Sequence, residues 1–130
     1  MLRQMLSGKI HRVSVTEARI DYEGSITIDS LLLKNAGMLP YEKVLIANLN
    51  NGSRIESYAI PAPERSGVIC LNGGAAKHGK TGDVLIIMTF GVYSEKELKN
   101  HKPKVAYVDA KNRLVKKSNP HLSFNLKVHA

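Results

Sequence analysis

Absences narrow this 130-residue sequence before any motif does. Its single cysteine, Cys70, excludes an internal disulfide framework. Tryptophan is absent and aromatic residues make up only 5%, which leaves little to stack on nucleic-acid bases. The longest nearly apolar run, Val84–Phe90, is far short of the ~20 residues a membrane helix needs. Arg3 and Met5 are not followed by an apolar stretch and a small-residue cleavage site, so a cytoplasmic chain with no signal peptide is expected. Neither Gly-x-Gly-x-x-Gly opening a helix nor a Walker-type loop occurs. The five histidines (His11, His78, His101, His121 and His129) are scattered, and no Cys/His spacing suits zinc. The 11 acidic residues form no evident acid–base pair. A metal site or a paired-carboxylate enzyme is therefore not indicated.

What is present fits one globular domain, since 130 residues fall within the common domain size. Hydrophobic residues make up 43% and charged residues 23%, close to the globular average. The net charge is +8, and the excess is concentrated late in the chain. Residues 95–130 hold nine Lys/Arg against three Asp/Glu, whereas residues 1–94 hold ten against eight. Such a balance fits either a solvated tail or an anionic partner.

The pattern reads as short strands punctuated by turns, with two short helices. Strands are expected over Lys9–Thr16, Ser25–Ile28, Val44–Asn48, Arg54–Ile60, Val68–Leu71, Val84–Phe90 and Val105–Val108. Asp29 reads as the N-cap of a helix over Ser30–Ala36, which Gly37 ends. Ser94-Glu95-Lys96-Glu97 fits a capping box that opens the second helix. Asn50-Asn51-Gly52 is the strongest hairpin turn. Pro61 and Pro63 are expected to end the strand that follows, because proline cannot donate to a ladder. From about residue 116 to 130 a loose basic tail is expected. Cys70, inside an apolar run, reads as a small core residue rather than a nucleophile. Many short strands in one domain point to a mostly β fold and a closed or nearly closed barrel, because closure removes exposed edges.

Three local features could carry chemistry. Gly24-Ser25 precedes a short strand, although Gly52-Ser53 is a second such dipeptide and either could be a plain turn. Arg54…Ser57-Tyr58 lies on one strand. Arg54 offers a donor fork suited to a carboxylate. Alternation places Arg54, Glu56 and Tyr58 on one face and Ser57 on the other. The third feature is Asn72-Gly73-Gly74-Ala75-Ala76, read either as a flexible loop or as backbone N–H groups open to a ligand.

These pieces recur together in one family. Lys9-Ile10-His11-Arg12, Tyr22-x-Gly24-Ser25-Ile26-Thr27-Ile28-Asp29, Asn51-Gly52-x-Arg54-x-x-Ser57-Tyr58-Ala59-Ile60, Asn72-Gly73 and Gly82-Asp83 stand in that order. Over residues 1–109 the sequence closely resembles the pyruvoyl-dependent aspartate 1-decarboxylases, which make β-alanine. The resemblance implies a double-psi β-barrel assembled as a homotetramer. It also implies a proenzyme that cleaves itself at Gly24–Ser25, so that residues 1–24 become the small chain and 25–130 the large one. Ser25 would then become a covalently bound pyruvoyl cofactor, with neither metal nor pyridoxal phosphate. Its carbonyl takes the amine of L-aspartate as a Schiff base. By the same resemblance, Tyr58 is the proton donor, and Lys9 and Arg54 bind substrate carboxylates. Gly73, Gly74 and Ala75 line the substrate pocket through their backbone, with His11 and Asn72 in support. Ser57 stands where the family has a threonine whose hydroxyl assists cleavage. The expected partners are L-aspartate, copies of the same chain and a maturation factor if one is required, with no role for nucleic acid or membrane.

The sequence also departs from the family. Ser57 keeps the hydroxyl but loses the methyl that restricts its rotamers, which points to slower or less complete cleavage. Gly74 replaces the usual alanine, so a looser loop is expected. Two alternatives stay open: a decarboxylase-like protein that never matures, and a small basic β-barrel that binds nucleic acid. Binding that weakens steeply with salt would mark the second.

Overall fold

The computed structural model describes residues 1–116, so the expected basic tail lies outside the described residues from 117 onward. Among the described residues, nine strands alternate with three short helices. The strands are β1 (Leu2–Ser14), β2 (Glu17–Arg19), β3 (Ser25–Asp29), β4 (Lys43–Asn48), β5 (Arg54–Ala62), β6 (Ile69–Asn72), β7 (Val84–Ser94), β8 (Lys104–Val108) and β9 (Leu114–Val115). Two helices, α1 (Ser30–Asn35) and α2 (Glu95–Leu98), are α-helical, and Gly73–His78 forms a 3-10 helix. No helix among the described residues is long and apolar enough to cross a membrane.

One mixed sheet runs in the order β2-β6-β3-β5-β4-β7-β1-β8-β9. Among the described residues, hydrogen bonds do not join its two edges. Yet β2 continues directly from β1, which lies six places along that order, so the sheet must curl back on itself. The crossing is clasped at Thr16. Its N–H donates to the Ile69 carbonyl at 2.8 Å, and the Ile69 N–H donates to the Thr16 hydroxyl at 3.0 Å. The architecture is mostly β and consistent with a small barrel.

The core fills the inside of this curl. Ile10, Ile26, Ile28, Ile46, Ala59, Ile69, Leu71, Leu85, Ile87 and Ala106 are all buried in one cluster. They follow the period-2 rule, so the neighbouring residues on each strand face outward. Helix α1 covers one end of the barrel with Leu32 and Leu33.

Local chemistry sets the boundaries. The Asp29 carboxylate accepts the Leu31 N–H at 2.9 Å and caps α1, and Gly37 stops the helix at φ +67°. The same carboxylate accepts the Arg65 N–H at 3.0 Å and the Gly67 N–H at 2.9 Å, tying down the β5–β6 connection. Ser94 and Glu97 form the expected reciprocal capping box.

Several expectations need correction: β1 spans Leu2–Ser14 rather than Lys9–Thr16, and β7 runs on past Phe90 to Ser94. β5 runs through Pro61 to Ala62 rather than ending before the proline. The Ala59 N–H and carbonyl both bond to residues 41–42 on the β4 side. Pro61, two residues on, points its nitrogen the same way, past the start of β4, so no ladder bond is lost. Residues 73–78 form a 3-10 helix rather than a flexible loop, which makes three helices instead of two. β2 and β9, of three and two residues, are too short to show a period in sequence.

Two measurements test this scaffold. Asp29→Ala strands three backbone donors and should lower the urea unfolding free energy by about 2–4 kcal/mol. Asp83 is also buried. The Asn48 amide at 2.9 Å and then the Lys80 N–H at 3.0 Å hold its carboxyl below the ordinary value. A depressed carboxyl pKa contributes stability above the unfolded value of about 3.9. That contribution is lost as pH falls through the folded value. Unfolding free energy measured from about pH 5 downward should therefore fall less steeply in Asp83→Asn.

Candidate active site

Strand alternation gathers the candidate residues on the outer face of the sheet. Ile26, Ala59 and Leu71 are adjacent across β3, β5 and β6, and all three face the core. Their neighbours Ser25, Tyr58 and Asn72 therefore face outward, with Ser25 paired to Asn72 and Tyr58 one residue before the Ile26–Ala59 pair. Further along the sheet, Arg54, Ala47, Ile86, His11 and Tyr107 form one level across β5, β4, β7, β1 and β8. Lys9, Met88, Leu45 and Glu56 form the next. Beside them, a cavity of about 380 Å³ is lined by Gln4, Lys43, Val44, Leu45, Glu56 and Phe90.

Ser25 is the best-constructed centre on this face. It is only 5% exposed, although Tyr22 just ahead of it is 54% exposed. Asn72 Nδ2 donates to Ser25 Oγ at 3.0 Å and to Thr27 Oγ1 at 2.9 Å. Gly73 follows in the left-handed region at φ +58°. A Cβ there would sit 2.7 Å from both the Gly24 nitrogen and the Tyr22 carbonyl oxygen. Only glycine lets the 3-10 helix press against the 22–24 segment. Gly24 itself differs: an added Cβ would meet nothing within 4 Å, and its φ is not left-handed. Packing therefore does not demand a glycine there.

The other candidates are spread more widely. Tyr58 is 39% exposed and shares the level of Ser25. Arg54 is exposed and makes no ion pair among the described residues. Lys9 is half-buried, and desolvation lowers its amine below the ordinary lysine value. His11 packs edge-on to Tyr107, with ring centroids 5.7 Å apart. Lys9 and His11 lie on β1, four places from β3 in the sheet order, so strand pairing does not bring them to Ser25. Ser57 is half-buried opposite Val44, on the face away from Tyr58, as alternation predicts. Its hydroxyl makes no hydrogen bond among the described residues, so one chain does not link it to Ser25. Ala75 is buried and Gly74 is open, both in the 3-10 helix beside Asn72.

Several contacts around Ser25 are not legible in the sequence. Thr27 shares the Asn72 amide, and Cys70 donates to Asn72 Oδ1 at 3.1 Å. Arg19 is level with Asn72 across β2 and β6. It donates to Glu17 Oε2 at 2.6 Å and to the Tyr22 hydroxyl, with its guanidinium carbon 4.8 Å from the Tyr22 ring centre. This exposed clasp holds the chain just ahead of Gly24. The Arg19 hydrogen bond, followed by its charge, keeps the Glu17 carboxyl below its ordinary value. Only cross-strand pairing reveals these residues, because β2 has no legible sequence period.

Comparison with known proteins identifies the family. The family described as aspartate decarboxylase matches residues 1–115. The aspartate 1-decarboxylase of Listeria monocytogenes serovar 1/2a is 56% identical over 114 residues, covering 88% of this chain and 90% of that one. The protein of the same name from Dehalococcoides mccartyi is 50% identical over 124 residues, covering 95% of this chain and 100% of that one. That from Ruminiclostridium cellulolyticum is 50% identical over 115 residues, covering 88% and 90%. A family match across nearly all described residues, with relatives at half identity or better over most of their length, shows that this chain belongs to the aspartate decarboxylase family.

Proposed function

We infer that this protein removes the α-carboxylate of L-aspartate, giving β-alanine and CO2, after cutting itself between Gly24 and Ser25. The observation that carries this reading is the setting of Ser25. It is a buried hydroxyl held by an amide donor, next to an exposed peptide segment that Gly73 keeps in place.

Self-cleavage follows from those groups. Ser25 Oγ attacks the carbonyl carbon of Gly24. The C–N bond breaks, and the hydroxyl proton passes to the freed amine. The product is an ester between Gly24 and the Ser25 side chain. Loss of the Ser25 Cα proton then breaks the Cβ–Oγ bond and releases the Gly24 carboxylate, leaving dehydroalanine. Water converts that to a terminal pyruvoyl group and ammonia. A weak hydroxyl nucleophile needs such positioning, and charge developing on oxygen needs a preorganised donor.

The residues around Ser25 suit this group, because residue 25 itself supplies it and no separate cradle is needed. When formed, the pyruvoyl group supplies an electron sink for the pair left as CO2 departs. Tyr58, level with residue 25, delivers a proton to the substrate carbon. Arg54 and Lys9 take the substrate carboxylates, and the backbone of Gly73, Gly74 and Ala75 borders the pocket. His11 and Asn72 support the site, and Ser57 retains the hydroxyl associated with cleavage.

One chain does not assemble all of these. Lys9 and His11 share the outer face with Ser25 but lie four strands away. The homotetramer of processed chains belongs to this reading, with a second copy bringing its residues to the pocket. The 1–24 and 25–130 division, the cytoplasmic location and any maturation factor belong to the same reading.

The intact mass of freshly purified and then warmed protein tests it. Two fragments, 1–24 and 25–130, are expected, the larger lighter by one ammonia than a serine-started chain. The matured protein should release CO2 from aspartate. A single uncleaved mass under all maturation conditions would overturn the reading. Two glycine variants separate the roles of the 3-10 helix. Gly73→Ala should slow cleavage by at least about tenfold, because its Cβ displaces the 22–24 segment. Gly74→Ala meets no atom within 4 Å. It should cleave normally and gain about 0.4–1 kcal/mol in urea unfolding.

A further inference from the structure

Cys70 and Thr27 face each other directly across β3 and β6, and the Asn72 side chain reaches both. Every hydrogen-bonding atom of that buried amide is engaged. One N–H goes to Ser25 Oγ and the other to Thr27 Oγ1, while Oδ1 accepts the Cys70 thiol at 3.1 Å. The thiol's other contacts, with the Leu71 carbonyl and Glu17 Oε2, are longer, both 3.9 Å.

The amide could in principle sit either way round. The hydroxyls of Ser25 and Thr27 both donate and accept, so neither selects its orientation. The thiol breaks the tie. It has one proton to give, and its sulfur is a poor acceptor for an amide N–H. Burial, and then the nearby Glu17 charge, pushes the thiol above its ordinary pKa, so the proton stays on sulfur.

We propose that Cys70 is a positioning residue whose thiol locks the Asn72 amide with an N–H on Ser25 Oγ, and that this lock serves the second step of self-cleavage. The proposal rests on the Gly24–Ser25 reading. In the second step the Ser25 Cα proton is removed and the Cβ–Oγ bond breaks. Oγ then leaves as part of the Gly24 carboxylate and gains negative charge. A fixed N–H donor stabilises that charge, whereas a reversed amide would set a carbonyl oxygen against it. Loss of the lock should therefore stall the chain at the ester stage.

Hydroxylamine cuts such an ester and leaves residues 1–24 as a hydroxamate and 25–130 starting with serine. In Cys70→Ala the hydroxylamine-cut fraction seen by mass should rise about tenfold over wild type, the scale of one lost buried hydrogen bond, whereas Thr27→Val, which leaves the thiol in place, should show a smaller rise. Cys70→Ser fills the site, but its hydroxyl accepts as readily as it donates and so does not select the amide's orientation; it should share the ester build-up, whereas a merely structural cavity defect would be relieved by it. A wild-type rate without ester build-up in Cys70→Ala would overturn the proposal. A second readout does not depend on cleavage. In Ser25→Ala protein, the Asn72 side-chain amide protons should exchange with solvent about tenfold more slowly than when Cys70→Ala is added. Equal exchange would overturn the lock even if the wild-type chain never cleaves. Normal exchange differences with no wild-type cleavage would instead uphold the lock and count against the parent reading.

Discussion

The cross-strand pair between Ser25 and Asn72 is the contact on which the rest of the site depends. It arises from antiparallel pairing of β3 with β6, in register from Ser25–Asn72 to Ile28–Ile69. A one-residue slip would turn Ile26 and Leu71 outward and Ser25 and Asn72 into the core. The barrel interior therefore enforces the register of the reactive serine. Ile26, Ala59 and Leu71 are buried so completely that the alternative pairing would expose three large or close-packed groups at once.

Curvature of the sheet adds a second constraint. β6 is paired on its other side with β2, which the Thr16–Ile69 clasp brings in from the end of β1. Without that crossing, β6 would be an edge strand and Asn72 an exposed amide. With it, Asn72 is enclosed by Arg19 and the 22–24 segment on one side and by Ser25 and Thr27 on the other. Residues far apart in sequence thus become one polar layer over an apolar core. The layer tolerates burial because each member finds a partner, as Asn72 does with all three of its bonds.

Much of this was legible beforehand, for identifiable reasons. The Asp29 cap, the Gly37 stop, the Ser94 capping box and the Asn50–Gly52 turn are local devices whose geometry depends on a few adjacent residues. Alternation alone separated Arg54, Glu56 and Tyr58 from Ser57, and the structure keeps that division. The failures share a cause. Pro61 was read as a stop because the sequence does not show that its nitrogen points past the start of β4. Asn72–Ala76 reads in sequence as a flexible loop or as backbone open to a ligand, because two adjacent glycines hide the 3-10 turn of residues 73–78. Cys70 was read as a core residue, and its burial agrees. Its bond to Asn72, however, depends on a carbonyl two residues away turning back toward it, and no spacing rule encodes that.

The same logic separates the two departures from the family. Gly74 lies in open space within a regular 3-10 helix, so its effect is confined to chain entropy, spread over the unfolded ensemble rather than focused on Ser25. Ser57 is different. Its hydroxyl is half-buried on β5, on the inward-facing register with Ile55 and Ala59 and without a hydrogen bond among the described residues. Loss of a methyl there frees a rotor rather than removing a contact. A freed rotor beside a packed strand samples several orientations, of which one serves any given acceptor. The penalty is a population factor of order the number of staggered wells, about threefold. That is much smaller than the effect of misdirecting the Asn72 amide, whose single N–H to Ser25 has no substitute on this face. The chemistry of the site is therefore more exposed to changes at the Cys70–Asn72–Thr27 layer than to the serine at position 57.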